Sequence, residues 1–130
     1  MSRLNVETAR VAYEAINRGD IDAALEVVHP EIEWHMSHRF GPGLVFHGHD
    51  GVREVLALFD KTLDGFQVEA KEFLDAGDKV MVRVCITGRE RTSGEVAHDL
   101  VQVWSGQGGK AIRLDVFDTR AEALASLRSG

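Results

Sequence analysis

The stretch Gly94–Asp118, GEVAHDLVQVWSGQGGKAIRLDVFD, contains the hairpin around which the predicted fold is built. A turn is expected at Gln107-Gly108-Gly109, because paired glycines adopt the positive φ values that tight hairpin turns require. On both sides of this turn, side chains of different character alternate with a period of two, which is typical of β-strands. The stretch therefore predicts two long antiparallel strands.

The register of this hairpin determines which side chains share a face of the sheet. If the hairpin closes near Gln107-Gly108, Leu100 lies opposite Asp115. His98 and Asp115 are then near neighbours on one face, at about the 7 Å expected of a diagonal pair. A shift of one residue would place them on opposite faces. We predict the closing near Gln107-Gly108 and hence a His98–Asp115 pair.

Length and composition restrict the class of protein. A chain of 130 residues is long enough for one core, so a single domain over 1–130 is expected. The net charge of −6 disfavours general nucleic-acid binding, which needs a basic face. No apolar run approaches the roughly 20 residues of a membrane span, and no signal peptide is recognised before Val6. With Cys85 as the sole cysteine, we expect a cytoplasmic protein without a disulfide.

The first part of the chain has a helical pattern. Apolar residues recur at helical spacing in Val6–Arg18, and Gly19 suits the left-handed conformation that ends a helix. Asp20 is the expected N-cap of a second helix, Ile21–Val28, which should close at His29-Pro30 because proline disfavours a helical predecessor. A helical hairpin with almost no loop is predicted.

A strand, a loop and a third helix are expected next. Glu31–Ser37 alternates as a strand, and Arg39–Gly43 is a Gly- and Pro-containing loop. A short strand, Leu44–His47, precedes a helix over Val52–Leu63, for which Asp50 is the predicted cap.

The second half of the chain is dominated by strands. Phe66–Asp75 and Lys79–Gly88 form a predicted hairpin around Ala76-Gly77-Asp78, and the hairpin in Gly94–Asp118 follows it. A last helix is expected over Arg120–Leu127. Helices followed by a run of strands indicate an α+β fold.

Both faces of the predicted sheet carry apolar side chains. One face is aliphatic, with Val80, Val82, Val84, Val101, Val103 and Leu114. The other is mixed but still contains Met81, Cys85, Leu100, Trp104 and Phe117. Because an antiparallel sheet in a monomer usually leaves one face polar, and the helices cover only one face, we predict a homodimer through the sheet.

Several motifs together resemble a known family. They are RGDIDAALE at Arg18–Glu26, Glu33-Trp34-His35, FHGHDGVREVL at Phe46–Leu56, VQVW at Val101–Trp104 and GKAIRLDVFD at Gly109–Asp118. In combination they are similar to the SnoaL-like polyketide cyclase and ketosteroid isomerase-like branch of the nuclear transport factor 2-like superfamily. The resemblance implies a cone-shaped α+β barrel, in which a curved antiparallel sheet wraps around three helices from the N-terminal half and a short C-terminal helix follows. It also implies a pocket and frequent dimers through the sheet.

The resemblance also implies roles for individual residues. Asp115 aligns with a pocket carboxylate of the epoxide hydrolases of this superfamily, and Arg83 with their pocket arginine. Cys85 stands where those hydrolases have a second carboxylate, so their water-activating arrangement is incomplete. Trp34-His35 is similar to the region of the ketosteroid isomerase carboxylate, which is absent here. The isomerase resemblance also places the Tyr13 hydroxyl at the pocket.

Asp115 and His98 are the candidate catalytic residues, because a carboxylate beside an imidazole makes a proton shuttle near neutral pH. The candidate pocket residues are Tyr13, Trp34, His35, Phe59, Arg83, Cys85, Gln102, Trp104 and Phe117. The alternative is a polar pair that stabilises the sheet or a dimer, with Arg83 neutralising a buried acid.

A metal site is considered and not favoured. His47-x-His49, and His35-x-x-His38 with Glu33, could supply zinc ligands, but Gly48 favours a turn and no HExxH or cysteine pair supports them. We predict no metal and no cofactor.

The functional expectation is a small-molecule pocket protein. Its residues suit cofactor-free acid/base chemistry, of isomerase, cyclase, dehydratase or hydrolase type, on a largely apolar oxygenated molecule. The alternative from another class is a non-catalytic ligand-binding or structural dimeric module.

Overall fold

The computed structural model describes residues 6–37 and 43–128. Within these ranges the elements are α1 (Val6–Asn17), α2 (Ile21–Leu25), β1 (Val28–His35), β2 (Val45–His47), α3 (Gly48–Thr62), β3 (Asp64–Ala76), β4 (Lys79–Glu90), β5 (Gly94–Gln107), β6 (Lys110–Phe117) and α4 (Arg120–Arg128). The α+β prediction is confirmed. His38 and residues 39–42 of the predicted Arg39–Gly43 loop lie outside the described residues.

The strands form one curved sheet in the order β2-β1-β6-β5-β4-β3. Neighbouring strands are antiparallel except β1 and β6, which run parallel, so the sheet is mixed at this one ladder. Helices α1, α2 and α3 contribute to the core on one side of the sheet, here called the inner face, and α4 packs on the opposite side, the outer face. None of the helices in the described ranges is both long and apolar enough to cross a membrane.

The turn between α1 and α2 has the predicted chemistry. Gly19 has a φ of 79°, its amide bonds to the carbonyl oxygen of Ile16 at 3.1 Å, and the amide of Asp20 bonds to that of Ala15 at 2.9 Å. These two bonds satisfy helix-end carbonyls in the manner of a Schellman motif. Asp20 then caps α2, because its Oδ1 accepts a hydrogen bond from the amide of Ala23 at 3.1 Å.

Helix α2 is shorter than predicted. It ends at Leu25, and Val28 already belongs to β1, so the expected helix over Ile21–Val28 is wrong at its C-terminal end. Pro30 lies inside the strand, between the paired residues Val28 and Glu33, where the ladder with β6 is irregular. A residue without an amide hydrogen is tolerated there because no regular ladder bond is lost.

Helix α3 begins earlier than predicted, at Gly48 rather than Val52. Its N-cap is His47, which makes no side-chain capping bond, and Asp50 lies in the first turn instead of at the cap. An acidic residue stabilises both positions, through capping or through the helix dipole, so its identity alone does not distinguish them. His47 therefore ends a strand while His49 is helical, with Nε2 at 2.8 Å from the carbonyl oxygen of Val28.

The inner face holds the main core. Its sheet residues include Val80, Val82, Val84, Ile86, Leu100, Trp104, Leu114 and Val116, all buried against side chains of α1, α2 and α3. Gly88 continues this face of β4, and a Cβ atom there would lie 2.8 Å from the Cβ of Leu63. The absence of a side chain thus lets the chain leaving α3 cross closely over β4.

The outer face has its own small core. Met81, Val101 and Val103 are buried with Ala123 of α4, and Phe117, Leu124 and Leu127 pack against them. Arg120, at the start of α4, bonds to Glu72 of β3. The predicted single aliphatic face is therefore wrong. Its members divide between the two faces and are buried by helices of the same chain, so this pattern gives no support for the dimer.

Candidate functional site

The β5–β6 hairpin turns one residue later than predicted and contains a bulge. Gln107 pairs with Lys110 across a two-residue turn at Gly108-Gly109, whose φ values are 61° and 81°. Two positive φ values suit a tight hairpin and explain the glycine pair. The register then shifts between Ser105 and Gly106, and Ile112 is the extra residue on β6.

This bulge separates the two candidate catalytic residues. Moving a hairpin turn by one residue shifts the pairing of the two strands by two residues, so each side chain still shares a face with the same set of partners. One bulged residue shifts the pairing by one, so every side chain beyond it moves to the opposite face. Asp115 lies opposite Val103 on the outer face, and His98 lies opposite Ile86 on the inner face. The predicted register is wrong, and with it the His98–Asp115 pair.

His98 lines a cavity of about 350 Å³ between the C-terminal end of α3 and the inner face of β4 and β5. We call this the His98 cavity; its lining residues are Phe59, Thr62, Leu63, Ile86, Glu90, His98 and Leu100. One aromatic and three aliphatic side chains supply an apolar wall. The volume is at the lower end of the range of about 300–1,000 Å³ that small-molecule sites occupy.

Three polar side chains belong to the His98 cavity. His98 is exposed at its mouth. The carboxylate of Glu90 accepts a hydrogen bond from Ser93 Oγ at 2.8 Å, and the Thr62 hydroxyl donates to the carbonyl oxygen of Leu58. Glu90 was missed from the sequence because β4 was predicted to end at Gly88. Extending the period-two alternation of β4 by two residues beyond Gly88 places Glu90 on the same face as Ile86.

Three other candidates form a closed network deeper in the core. Trp104 Nε1 donates to the Tyr13 hydroxyl at 2.8 Å, and this hydroxyl donates to Gln102 Oε1 at 2.5 Å. All three residues are buried, and burial raises the pKa of Tyr13 although the bond from Trp104 opposes this effect. Leu100 lies between His98 and Gln102 on the same face of β5. The network is thus separated from the His98 cavity by one side chain.

Trp34 also faces the core. It lies opposite Leu114 of β6 and Phe46 of β2, and it is buried. Within the described ranges its buried Nε1 has no hydrogen-bond partner. An unsatisfied buried donor lowers the stability of the fold, and a hydrogen bond to a bound water or ligand atom would remove this cost.

His35 and Asp115 belong to a charged cluster on the outer face. Glu33 lies opposite Arg113 and His35 opposite Asp115 in the β1–β6 ladder. His35 Nε2 is 2.9 Å from Glu33 Oε1, and Arg113 Nε is 2.9 Å from Asp115 Oδ2. The bond to His35 lowers the pKa of Glu33, and the bond to Asp115 raises the pKa of Arg113. We call these four residues the outer-face quartet.

The remaining candidates are on the outer face too. Arg83 lies opposite Val101 and is 3.6 Å from Glu72, half exposed to solvent. Cys85 is a free thiol opposite Asp99, and burial together with a hydrogen bond to this carboxylate raises the pKa of the thiol. Phe117 packs under α4. None of these side chains lies on the face of the His98 cavity.

The candidates therefore lie in three places. Phe59 and His98 are at the cavity, Tyr13, Trp34, Gln102 and Trp104 are in the inner core, and His35, Arg83, Cys85, Asp115 and Phe117 are on the outer face. Across residues 6–37 and 43–128, no three His, Cys, Asp or Glu side chains gather closely enough to hold a metal ion.

A known domain family and several solved structures are similar to this chain. The family model described as a SnoaL-like domain matches residues 9–114. A search of curated proteins gave no match. Among solved structures, TerC co-crystallised with polyporic acid is 27% identical, with a TM-score of 0.75 over 96% of this chain and 98% of its own.

Two further structures are similar. An NTF2-like protein from Burkholderia thailandensis is 25% identical, with a TM-score of 0.76 over 94% of this chain and 95% of its own. A protein of ketosteroid isomerase-like fold from Catenulispora acidiphila, in complex with trimethylamine, is 15% identical, with a TM-score of 0.75 over 93% and 92%. The last similarity concerns the fold alone.

Proposed function

We propose that this chain, which belongs to the SnoaL-like domain family, binds a small, largely apolar, oxygen-bearing molecule in the His98 cavity. The observation that carries the proposal is the lining of this cavity, an apolar wall with an imidazole and a carboxylate. Ligand sites commonly combine such a wall with a few polar groups that fix orientation. The similarity to TerC, which was crystallised with polyporic acid, supports the same class of ligand.

We further propose cofactor-free acid/base catalysis in this cavity. His98 is the group that takes a proton from the bound molecule, and Glu90 is the carboxylate that can complete the transfer. Proton transfer of this kind serves isomerisation, cyclisation, dehydration or hydrolysis. Phe59 is the aromatic wall of the site. The buried Tyr13–Gln102–Trp104 network fixes β5 behind it and takes no direct part.

A non-catalytic ligand-binding or structural module is the second candidate. The Tyr13 hydroxyl both accepts and donates a hydrogen bond inside the core, so its donor hydrogen is already engaged by Gln102. Because these buried polar groups already bond to one another, they need no substrate to complete their hydrogen bonds. The two candidates differ in whether His98 and Glu90 change a bound molecule or only hold it.

The assembly and location remain part of the proposal. We propose a homodimer through the outer face that α4 leaves uncovered, where Leu74 of β3 lies opposite Met81 and is 38% exposed. Leu74→Lys should then lower the sedimentation coefficient from the dimer to the monomer value, and an unchanged value would place the interface elsewhere. We propose a cytoplasmic location, because a free thiol such as Cys85 suits a reducing compartment.

Titration with 4-ethylphenol, followed by amide NMR, tests the ligand site. Saturable shifts should be concentrated at Phe59, Ile86 and Leu100, and Glu90→Gln or His98→Gln should weaken binding. Glu95→Gln is the matched control, because Glu95 is an exposed acid of the same sheet outside this cavity. Shifts that do not saturate, or that centre on another surface, would refute the site.

Catalysis needs a natural ligand, which native mass spectrometry of the purified protein can identify. With that molecule as substrate, His98→Gln should lower turnover by a factor on the order of 10²–10⁴. Turnover that is absent in the unsubstituted protein, with binding retained, would favour the non-catalytic module.

A further inference from the structure

A second cavity lies on the other side of the C-terminal half of α3. It has a volume of about 360 Å³ and is lined by Ile16, Gly19, Ile21, Arg53, Leu56, Ala57, Asp60 and Phe66. We call it the helix-side cavity. Its wall is mainly apolar, with one guanidinium and one carboxylate from α3. Each of the two cavities alone is near the lower size limit of small-molecule sites.

One pair of aromatic rings stands between the two cavities. Phe59 lines the His98 cavity, Phe66 lines the helix-side cavity, and their ring centroids are 5.9 Å apart at an interplanar angle of 37°. Both side chains are half-buried, so each keeps open space beside it.

We propose that the Phe59–Phe66 pair determines the length of ligand that the His98 cavity accepts. The inference rests on the proposed function of that cavity. The polar atom of the ligand stays near His98 and Glu90, and its apolar end stops against Phe59. We expect removal of either ring to open the His98 cavity towards the helix-side cavity, which has a similar volume. The preferred ligand is therefore compact, and the part of an alkyl or acyl chain that extends beyond the rings gains no further apolar contact in the cavity.

A series of 4-alkylphenols measures this limit directly. Each added methylene that enters an apolar site raises affinity about fourfold, the equivalent of its transfer free energy. In the unsubstituted protein, affinity should rise with chain length and then stop rising where the chain meets Phe59. Isothermal titration calorimetry from 4-ethylphenol to 4-octylphenol locates this cut-off.

Phe66→Ala and Phe59→Ala should each move the cut-off to chains at least two methylenes longer. The phenol that is two methylenes longer than the original cut-off should then bind on the order of tenfold more tightly than to the unsubstituted protein. Phe66→Leu and Phe59→Leu are milder variants that retain the fold if an alanine variant does not. Leu58→Ala is the control on α3, because Leu58 is 53% exposed and lines neither cavity.

Three negative outcomes are distinguishable. If no phenol binds the unsubstituted protein saturably, the proposed ligand site fails and this inference fails with it. If short phenols bind but the cut-off stays at the same chain length in all folded variants, the ligand site stands and the role of the ring pair is refuted. A cut-off that moves equally in Leu58→Ala would also refute it.

Discussion

Val103 of β5 lies directly opposite Asp115 of β6, which places this carboxylate on the face of the sheet turned away from His98. On that face Asp115 is held by Arg113 within the outer-face quartet. The two residues that the sequence pattern brought together are thus separated by the thickness of the sheet. Their contributions to stability should be independent.

A double-mutant cycle on His98→Ala and Asp115→Asn tests this independence. The changes in the free energy of unfolding should add within about 0.5 kcal/mol, because residues without a shared partner usually behave additively. Urea denaturation of the two single variants and the double variant provides the values. Tyr13→Phe with Gln102→Leu is the positive control, since these side chains share a hydrogen bond and should be coupled. Coupling of His98 and Asp115 as strong as in that control would contradict the register.

Tyr13 should make the fold sensitive to alkali. Burial raises the pKa of Tyr13 above its ordinary value of 10.0, so the unfolded chain releases this proton at a lower pH than the folded protein does. The contribution of the protonated Tyr13 hydroxyl to the free energy of unfolding is complete below about pH 10. Above this pH it declines by at most about 1.4 kcal/mol per pH unit. As Tyr13 is the single tyrosine, tyrosinate absorbance should appear only together with the loss of near-ultraviolet circular dichroism. Ionisation that precedes unfolding would contradict the burial of the hydroxyl.

Removing the Tyr13 hydroxyl should itself destabilise the protein. Tyr13→Phe leaves Trp104 Nε1 and Gln102 Oε1 without their partner in the core, which costs about 1–3 kcal/mol. Urea denaturation at pH 7 measures this loss. Phe46→Leu is the comparison for packing alone, because it changes a half-buried side chain packed against the same core and removes no hydrogen bond. A Tyr13→Phe variant as stable as the unsubstituted protein would show that the network contributes nothing.

The hydrogen bond between Glu33 and His35 in the outer-face quartet should be detectable as a lowered pKa of Glu33. The hydrogen bond to His35 is the largest cause of the lowered pKa of this carboxyl, and the charges of His35, His47 and Arg113 act in the same direction. His35→Phe should therefore move the Glu33 midpoint upward in carbon-detected NMR. His47→Phe should move it less, because His47 acts through charge alone. Equal shifts in both variants would exclude the hydrogen bond as the main cause.

Cys85 should react slowly with thiol reagents. Burial, followed by the hydrogen bond to Asp99, raises the pKa of this thiol and lowers the fraction of reactive thiolate. At neutral pH the folded protein should react with an aromatic disulfide reagent roughly tenfold or more slowly than the denatured chain. Asp99→Asn should speed the reaction, and Glu95→Gln should not. A folded protein that reacts as fast as the denatured chain would contradict the burial of Cys85.

Much of the fold could be predicted because its signals are local. Gly19 and Asp20 determine the turn between α1 and α2 through their own backbone and side-chain bonds, and the Gly108-Gly109 pair marks the hairpin. Alternation located the four long strands, although their ends extend further than the alternating core suggested. The family resemblance was confirmed over residues 9–114.

The candidate site could not be predicted in the same way, because it depends on long-range geometry. One extra residue, Ile112, reverses the faces of the β5–β6 ladder, and nothing in its local alternation distinguishes a bulge from a regular strand. In the same way, Pro30 suggested a helix end, but the irregular β1–β6 ladder accommodates it within a strand. Glu90 became a neighbour of the His98 cavity only because α3 ends above it.

The order of donors in the Tyr13 network has a consequence for the route of protons. The chain of bonds begins at Trp104 Nε1, a group that can donate but has no site to accept, and ends on the side-chain oxygen of Gln102. A wire with a non-accepting terminus cannot relay protons in succession, so the interior of the barrel is insulated at this point. If a ligand binds in the His98 cavity as proposed, this network offers no inner route for its protons, and the exposed His98 is the group through which they would be exchanged with bulk water.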